Sequence, residues 1–155
     1  MKPLPWALCA LLLAGGAFAA PQSPPDRSSP EKTVRSFLQA LSRADVRAAL
    51  ACVAGAKAGA HSARLQRELR ANPATLTPAN VLVTSGGDAA TAALTITVAG
   101  PRRSGVRLTM EDRVRLRREG ALWKIVADDP RSPKSDRSGL ASVFATLLAY
   151  KGATR

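Results

Sequence analysis

The sequence predicts an α+β domain built from N-terminal helices, about four antiparallel strands and an extra C-terminal helix. Between residues 29 and 70, apolar side chains recur every three or four positions, as on amphipathic helices. Between residues 79 and 127 they alternate with polar ones, as on strands buried on one face. Helical spacing returns after residue 138, which predicts that a last helix follows the sheet.

The first 19 residues predict a secretory signal peptide. Lys2 provides the positive start, residues 6–14 form an apolar run, and Ala17-Phe18-Ala19 fits a cleavage site. The run is shorter than the ~20 residues that a membrane-spanning helix needs, and no later run is long enough. We therefore expect an exported chain, periplasmic or extracellular, with no membrane span after cleavage.

The charge balance favours anionic partners. Lys and Arg number 23 against 11 Asp and Glu, a formal net charge of +12. An exported chain with this charge would meet an anionic envelope component or an acidic protein, and no nucleic acid is expected. The alternative that scattered surface arginines have no ligand stays open. Cleavage leaves Cys52 as the one cysteine, so stability must come from an apolar core.

Residues 20–28 are rich in proline and serine and predict a flexible leader before a domain over residues 29–129. Ser29 begins the first helix as its N-cap, and Asp45 begins the second in the same way. The first helix carries an apolar stripe of Val34, Phe37, Leu38 and Leu41. A third helix over residues 58–70, with His61 on its apolar stripe, ends before Pro73.

Four strands follow, over residues 79–85, 89–98, 106–117 and 122–127. We place the hairpin turns at Gly86-Gly87 and Glu119-Gly120. The resulting register opposes Ser85 with Asp88, Val98 with Val106, Leu116 with Trp123, and Asp112 with Ala92 on one side and Ala127 on the other. A polar linker over residues 130–137 leads to a helix over residues 138–155. Its predicted N-cap is Ser138, its end is Gly152, and its apolar stripe is Leu140, Val143, Phe144, Leu147 and Leu148.

Two segments carry a resemblance to a known superfamily: EKTVRSFLQALSRADVRAALACV (residues 31–53) and MEDRVRLRREGALWKIV (residues 110–126). With the strands between them, residues 30–129 resemble the nuclear transport factor 2-like superfamily, also called ketosteroid-isomerase-like. The resemblance implies a curved sheet wrapped around the helices as a cone, with an apolar pocket at its wide end. The superfamily includes isomerases, hydrolases and domains without known activity, so the resemblance implies a fold and no single reaction.

The inward strand positions predict a pocket lined by Leu94, Met110, Asp112, Val114, Trp123 and Ile125. Asp112 is the one carboxylate among them and, with His61, is a candidate general acid or base. The alternative is that Asp112 lies near the rim and pairs with an arginine such as Arg131, which the rarity of buried unpaired carboxylates favours. With one histidine and no acidic cluster, the sequence predicts no metal site and no cofactor.

The outward positions of the last two strands form a basic sheet face, consisting of Arg107, Arg113, Arg115, Arg117 and Lys124. In the predicted register Arg115 opposes Lys124, and like charges at that spacing repel. We therefore expect a monomer, or a dimer that forms through another surface.

These patterns predict an exported, non-catalytic binding or accessory domain with a small apolar ligand. An isomerase- or hydrolase-like enzyme that uses Asp112 with His61 is one alternative. An interaction module that docks through the basic sheet face or the C-terminal helix is another.

Overall fold

The computed structural model of the chain describes residues 23–56, 58–101, 105–127 and 139–149. The predicted signal peptide, the linker, Ser138, Arg131 and the helix end at Gly152 lie outside these residues. The described elements are α1 (Pro30–Ser42), α2 (Val46–Ala51), α3 (Ala60–Ala71), β1 (Thr75–Gly86), β2 (Ala89–Ala99), β3 (Arg107–Glu119), β4 (Leu122–Ile125) and α4 (Leu140–Ala149). The predicted α+β class is confirmed.

Helices α1 and α2 begin at the predicted caps. The Ser29 hydroxyl accepts a hydrogen bond from the Lys32 amide at 3.3 Å, and the Asp45 carboxylate accepts one from the Ala48 amide at 3.0 Å. Between the helices, Ala44 has a φ of +52°, which turns the chain sharply. The predicted stripe of α1 is fully buried, so the spacing of its apolar residues identified the face that packs on the sheet.

The four strands form one antiparallel sheet in the order β1-β2-β3-β4. β1 begins at Thr75, four residues earlier than predicted, and includes Pro78. Proline is tolerated there because β1 is an edge strand. The pairing of β1 with β2 shifts between Ala79 and Leu82, where Asn80 has a φ of +51°. This β-bulge bends the strand locally.

The predicted register is wrong by two residues between β2 and β3, between β3 and β4, and between β1 and β2 from Leu82 onward. The turn glycines explain the two hairpins. Gly87 and Gly120 have φ values of +61° and +63° and take the first position of a two-residue turn. Glycine is the residue that this position requires in a type II′ hairpin. The observed pairs include Gly86 with Ala89, Val98 with Leu108, Leu94 with Asp112, and Leu116 with Ile125. Because this shift is even, the side chains in these stretches keep their predicted face while their neighbours change. Before the bulge, Ala79 pairs with Thr95, a shift of one residue.

The outer edge of β4 is covered by the chain itself. The Trp123 amide donates to the Arg27 carbonyl at 2.9 Å, and the Ile125 amide donates to the Cys52 carbonyl at 2.8 Å. The Ala54 amide in turn donates to the Ile125 carbonyl at 2.8 Å. The sequence did not predict that the leader packs at Arg27. These bonds satisfy backbone groups that would otherwise template pairing with another chain.

Helix α4 packs against β3 and α3 and completes the core. Ala141, Ala145 and Leu148 are buried, whereas Leu140 and Phe144 are half-buried. Val143 is 51% exposed, so the predicted stripe of α4 is wrong at this position. The buried face is centred on alanines, which let the helix backbone lie close to the sheet.

The cap of α2 gives a stability prediction. Replacing Asp45 with Ala should lower the free energy of unfolding by about 1 kcal/mol, because the Ala48 amide loses its acceptor. Asp45→Asn keeps an acceptor oxygen and should cost less than half as much. Urea unfolding of both variants measures the difference, and equal losses would show that the hydrogen bond does not stabilise the helix.

Candidate functional site

Asp112 is buried on the concave face, with 5% of its surface exposed. Its Oδ1 accepts a hydrogen bond from the Arg113 amide and its Oδ2 accepts one from the Ala141 amide, each at 2.7 Å. Ala141 is the second residue of α4, where backbone amides have no partner within the helix. The carboxylate therefore caps α4, and the positive end of the helix dipole stabilises its charge.

Gly139 brings the chain into contact with that carboxylate. It has a φ of +97°, and a Cβ atom at this position would overlap the Asp112 carboxyl group. Any other residue would be strained by this φ and would also push α4 away from β3. A glycine is thus required for the close approach between α4 and Asp112.

The predicted pocket residues lie together, but they are packed in the core. Leu94, Val114 and Ile125 are each at most 4% exposed, Trp123 is 8% exposed, and Met110 is half-buried against the same cluster. In the predicted register, Ala92 and Ala127 would flank Asp112 and leave open space beside it. The observed register places Leu94 there instead of Ala92, and its larger side chain occupies that flank.

His61 is exposed near the start of α3, and its predicted position on the buried stripe is wrong. Ser62 is buried in its place, and its hydroxyl accepts a hydrogen bond from the Gly59 amide at 2.8 Å. The predicted catalytic pair therefore combines a buried carboxylate with an exposed imidazole. A histidine one position from a capping serine is expected to point away from the packed face.

Cys52 is fully buried at the end of α2, and its thiol lies 3.5 Å from the Ala48 carbonyl oxygen. Burial raises its pKa to about 11, although Arg27 and Lys124 oppose this shift. A thiol with this pKa is almost wholly protonated at neutral pH and is a poor nucleophile.

Two cations of the basic sheet face, Arg117 and Lys124, have partners within the chain. Arg117 forms an ion pair with Glu119 at 2.6 Å. Lys124 opposes Arg117, and not Arg115 as predicted, and its ammonium group donates to the Ala51 carbonyl. Like charges still oppose each other across β3 and β4, but Lys124 is drawn to the edge of the sheet.

A groove of about 540 Å³ lies on the outer side of the sheet, beside the β-bulge. Its lining residues are Asn80, Leu82, Ala93, Leu94, Thr95, Glu111, Asp112 and Arg113. Leu82 is 71% exposed there. The groove was not predicted from the sequence, and the bulge beside it has no glycine to mark it.

In the described part of the chain, His, Cys, Asp and Glu side chains do not gather in groups of three or more that could hold a metal ion. Nor does that part include a helix with the length and apolar character needed to cross a membrane.

Comparisons with known proteins identify the fold. No family model matches the chain, and no curated protein matches it. A Mycobacterium tuberculosis protein of unknown function superposes with a TM-score of 0.52 at 17% identity, over 77% of this chain and 84% of that one. An NTF2-like protein of unknown function from Pseudomonas putida superposes with a TM-score of 0.51 at 17% identity, over 70% and 89%.

A third structure, a protein of unknown function with a cystatin-like fold from Nostoc punctiforme, has a TM-score of 0.50 at 20% identity, over 67% of this chain and 91% of that one. At these identities the likeness concerns the fold. The chain has the fold of nuclear transport factor 2-like proteins, as the two sequence segments predicted.

The cap of α4 gives a second stability prediction. Asp112→Ala leaves the Arg113 and Ala141 amides without this acceptor and should lower the free energy of unfolding by about 2–3 kcal/mol. Asp112→Asn retains an acceptor and should cost about 1 kcal/mol. Glu111→Ala, an exposed carboxylate beside it, is the matched control and should change stability by less than about 0.5 kcal/mol. Equal effects of Asp112→Ala and Glu111→Ala would contradict the capping role.

The buried thiol gives a prediction on reactivity. In the chain from residue 20 onward, iodoacetamide should alkylate Cys52 at pH 8 about 100-fold more slowly than in the urea-unfolded chain, because a pKa of about 11 lowers the thiolate fraction by that factor. The native rate should keep rising with pH up to about 11, whereas the unfolded rate should level off near pH 9. Mass spectrometry measures both profiles, and coinciding profiles would show an accessible, reactive thiol.

Proposed function

We propose that this chain is an exported, non-catalytic binding domain whose concave sheet face accepts a small apolar ligand when α4 moves aside. The observation that carries the proposal is that the Asp112 carboxylate caps α4. Both oxygens of this carboxylate accept hydrogen bonds from backbone amides, and Gly139 lies directly against it. A general base must be within reach of its substrate, and this carboxylate is buried and already bonded through both oxygens.

The face under α4 has the character of an apolar binding surface. The apolar cluster that α4 completes includes Leu94 and Val114, together with Trp123 and Ile125 of β4, the strand on which α1 packs. Apolar walls with one polar anchor are typical of small-molecule sites. In the closed form, α4 covers the β3 part of this surface.

The apolar contacts that hold α4 in place, in addition to the Asp112–Ala141 hydrogen bond, are of a size that a ligand could replace. The helix buries two alanines and Leu148 completely, and full burial of a leucine side chain is worth about 2 kcal/mol. Leu140 and Phe144 add part of their surface. An apolar molecule that replaced these contacts could shift α4 between closed and open positions, provided that it binds the open form more tightly.

The enzymatic alternative requires Asp112 and His61 to act on one substrate. His61 is exposed at the start of α3, whereas Asp112 is enclosed under the start of α4. A reaction that used both would first have to release the helix cap. Export itself rests on the signal-peptide pattern of residues 1–19.

Substitution of Gly139 tests the proposal. Gly139→Ala should displace α4, because its Cβ overlaps the Asp112 carboxylate, and should increase affinity for the uncharged apolar dye N-phenyl-1-naphthylamine at least about fivefold. Fluorescence titration of the dye measures the affinity. Native mass spectrometry of the protein purified from its envelope would identify a co-purifying natural ligand.

Gly87→Ala is the matched control, because Gly87 also has a positive φ but has open space where a Cβ would lie. It should lower the free energy of unfolding by about 1 kcal/mol without changing dye binding. If Gly139→Ala is clearly more destabilising than Gly87→Ala while both bind the dye as the unmodified chain does, the concave face is not a ligand site.

A further inference from the structure

Two cationic side chains converge on one carbonyl oxygen at the covered edge of β4. Arg27 Nη1 donates to the Ala51 oxygen at 2.7 Å, and Lys124 Nζ donates to the same oxygen at 2.5 Å. Both side chains are half-buried. Because they share an acceptor, the two charged nitrogens lie within about 5 Å of each other.

In the part of the chain that the structure describes, no carboxylate forms an ion pair with this cluster of Arg27 and Lys124. Glu119 acts on Lys124 from a distance, but its own ion pair is with Arg117. Burial and the charge of Arg27 both lower the pKa of Lys124. The Nε of Arg27 is buried and has no hydrogen-bond partner.

The arrangement suits an anion, because two like charges share one acceptor oxygen. A guanidinium offers a planar fork of donors, and an ammonium offers a rotating point charge. One tetrahedral oxyanion can accept from both and remove their mutual repulsion. Burial of the stems reduces screening by salt, so an anion held here would be bound more tightly than by a pair of fully exposed lysines.

We infer that Arg27 and Lys124 form a binding site for a phosphate-type oxyanion, supplied either by free phosphate or by the headgroup of an anionic phospholipid. The site lies at the outer edge of β4, beside the Arg117–Glu119 ion pair of the basic sheet face. It is separate from the concave face and does not depend on whether that face binds a ligand.

Inorganic phosphate, titrated at constant ionic strength against the chain from residue 20 onward, tests the site. We expect saturable shifts of the Ala51 and Trp123 amide resonances, with a dissociation constant in the millimolar range. The double variant Arg27→Gln/Lys124→Gln should raise this constant at least about tenfold, because it removes two charge-assisted hydrogen bonds.

The matched control is Arg64→Gln/Arg67→Gln on exposed positions of α3, which removes the same charge and should leave the constant within about twofold. Circular dichroism checks folding, and Lys124→Gln alone provides a second test if the double variant does not fold. Arg27→Lys, which retains the charge, should keep part of the affinity. The inference is overturned if phosphate does not saturate the site. It is also overturned if the variants at Arg27 and Lys124 bind phosphate with the same dissociation constant as the control.

Vesicles distinguish the two sources of the oxyanion. Co-sedimentation with phosphatidylglycerol vesicles, but not phosphatidylcholine vesicles, that is lost in the Arg27→Gln/Lys124→Gln variant and kept in the control would assign the site to a lipid headgroup. Phosphate binding without variant-sensitive sedimentation would assign it to free phosphate. If both double variants reduce sedimentation equally and neither changes phosphate binding, the vesicles are bound through net charge, and the proposed site is rejected.

Discussion

The hydrogen bond between the Asp112 carboxylate and the Ala141 amide connects the sheet to the last helix. An ionised carboxylate in an apolar core costs several kcal/mol unless donors satisfy it. Here the amides of Arg113 and Ala141 do so, and the second is available only when α4 is docked. The helix in turn has a buried N-terminus that needs an acceptor. Each group therefore makes the burial of the other favourable, and the loss of either destabilises both.

The edges of the sheet impose a second constraint. On one side, β1 carries Pro78 and a bulge at Asn80, both of which interrupt a continuous row of backbone donors. On the other side, β4 is covered by Arg27 and by the segment after α2. This cover draws a guanidinium and an ammonium to the same carbonyl oxygen, so protection of the edge concentrates positive charge at a half-buried place.

The sequence predicted correctly which side chains of the sheet point inward, but not which residues pair across neighbouring strands. Both results have one physical reason. Alternation of apolar and polar residues determines which side chains point inward, but it is unchanged when a strand slips by two residues. Only the turns distinguish these registers. At Gly86-Gly87 two glycines are available, and the structure places Gly87 first in the turn, with positive φ. The pairing of Asp112 with Leu94, and not with Ala92, lies between β2 and β3 and is not determined by this turn.

The helices also differ in how well the sequence predicted their buried faces. In α1 the spacing of large apolar residues is unambiguous, and the predicted stripe is the buried one. In α4 nearly every position is apolar, so spacing cannot select a face. A tertiary contact selects it instead. With the Ala141 amide bonded to Asp112 and Gly139 against the carboxylate, Ala141 and Ala145 are turned toward the sheet and Val143 toward solvent.

That selection also bears on function. A helix held through its largest side chains would bury more apolar surface and would be harder to displace. Helix α4 instead approaches through alanines and is fixed at its start by one carboxylate and one glycine. Its position thus depends on a few polar and steric contacts at one end. A change at that end, in Asp112 or in Gly139, should therefore loosen α4 from β3 while α1, α2 and the sheet retain their own contacts.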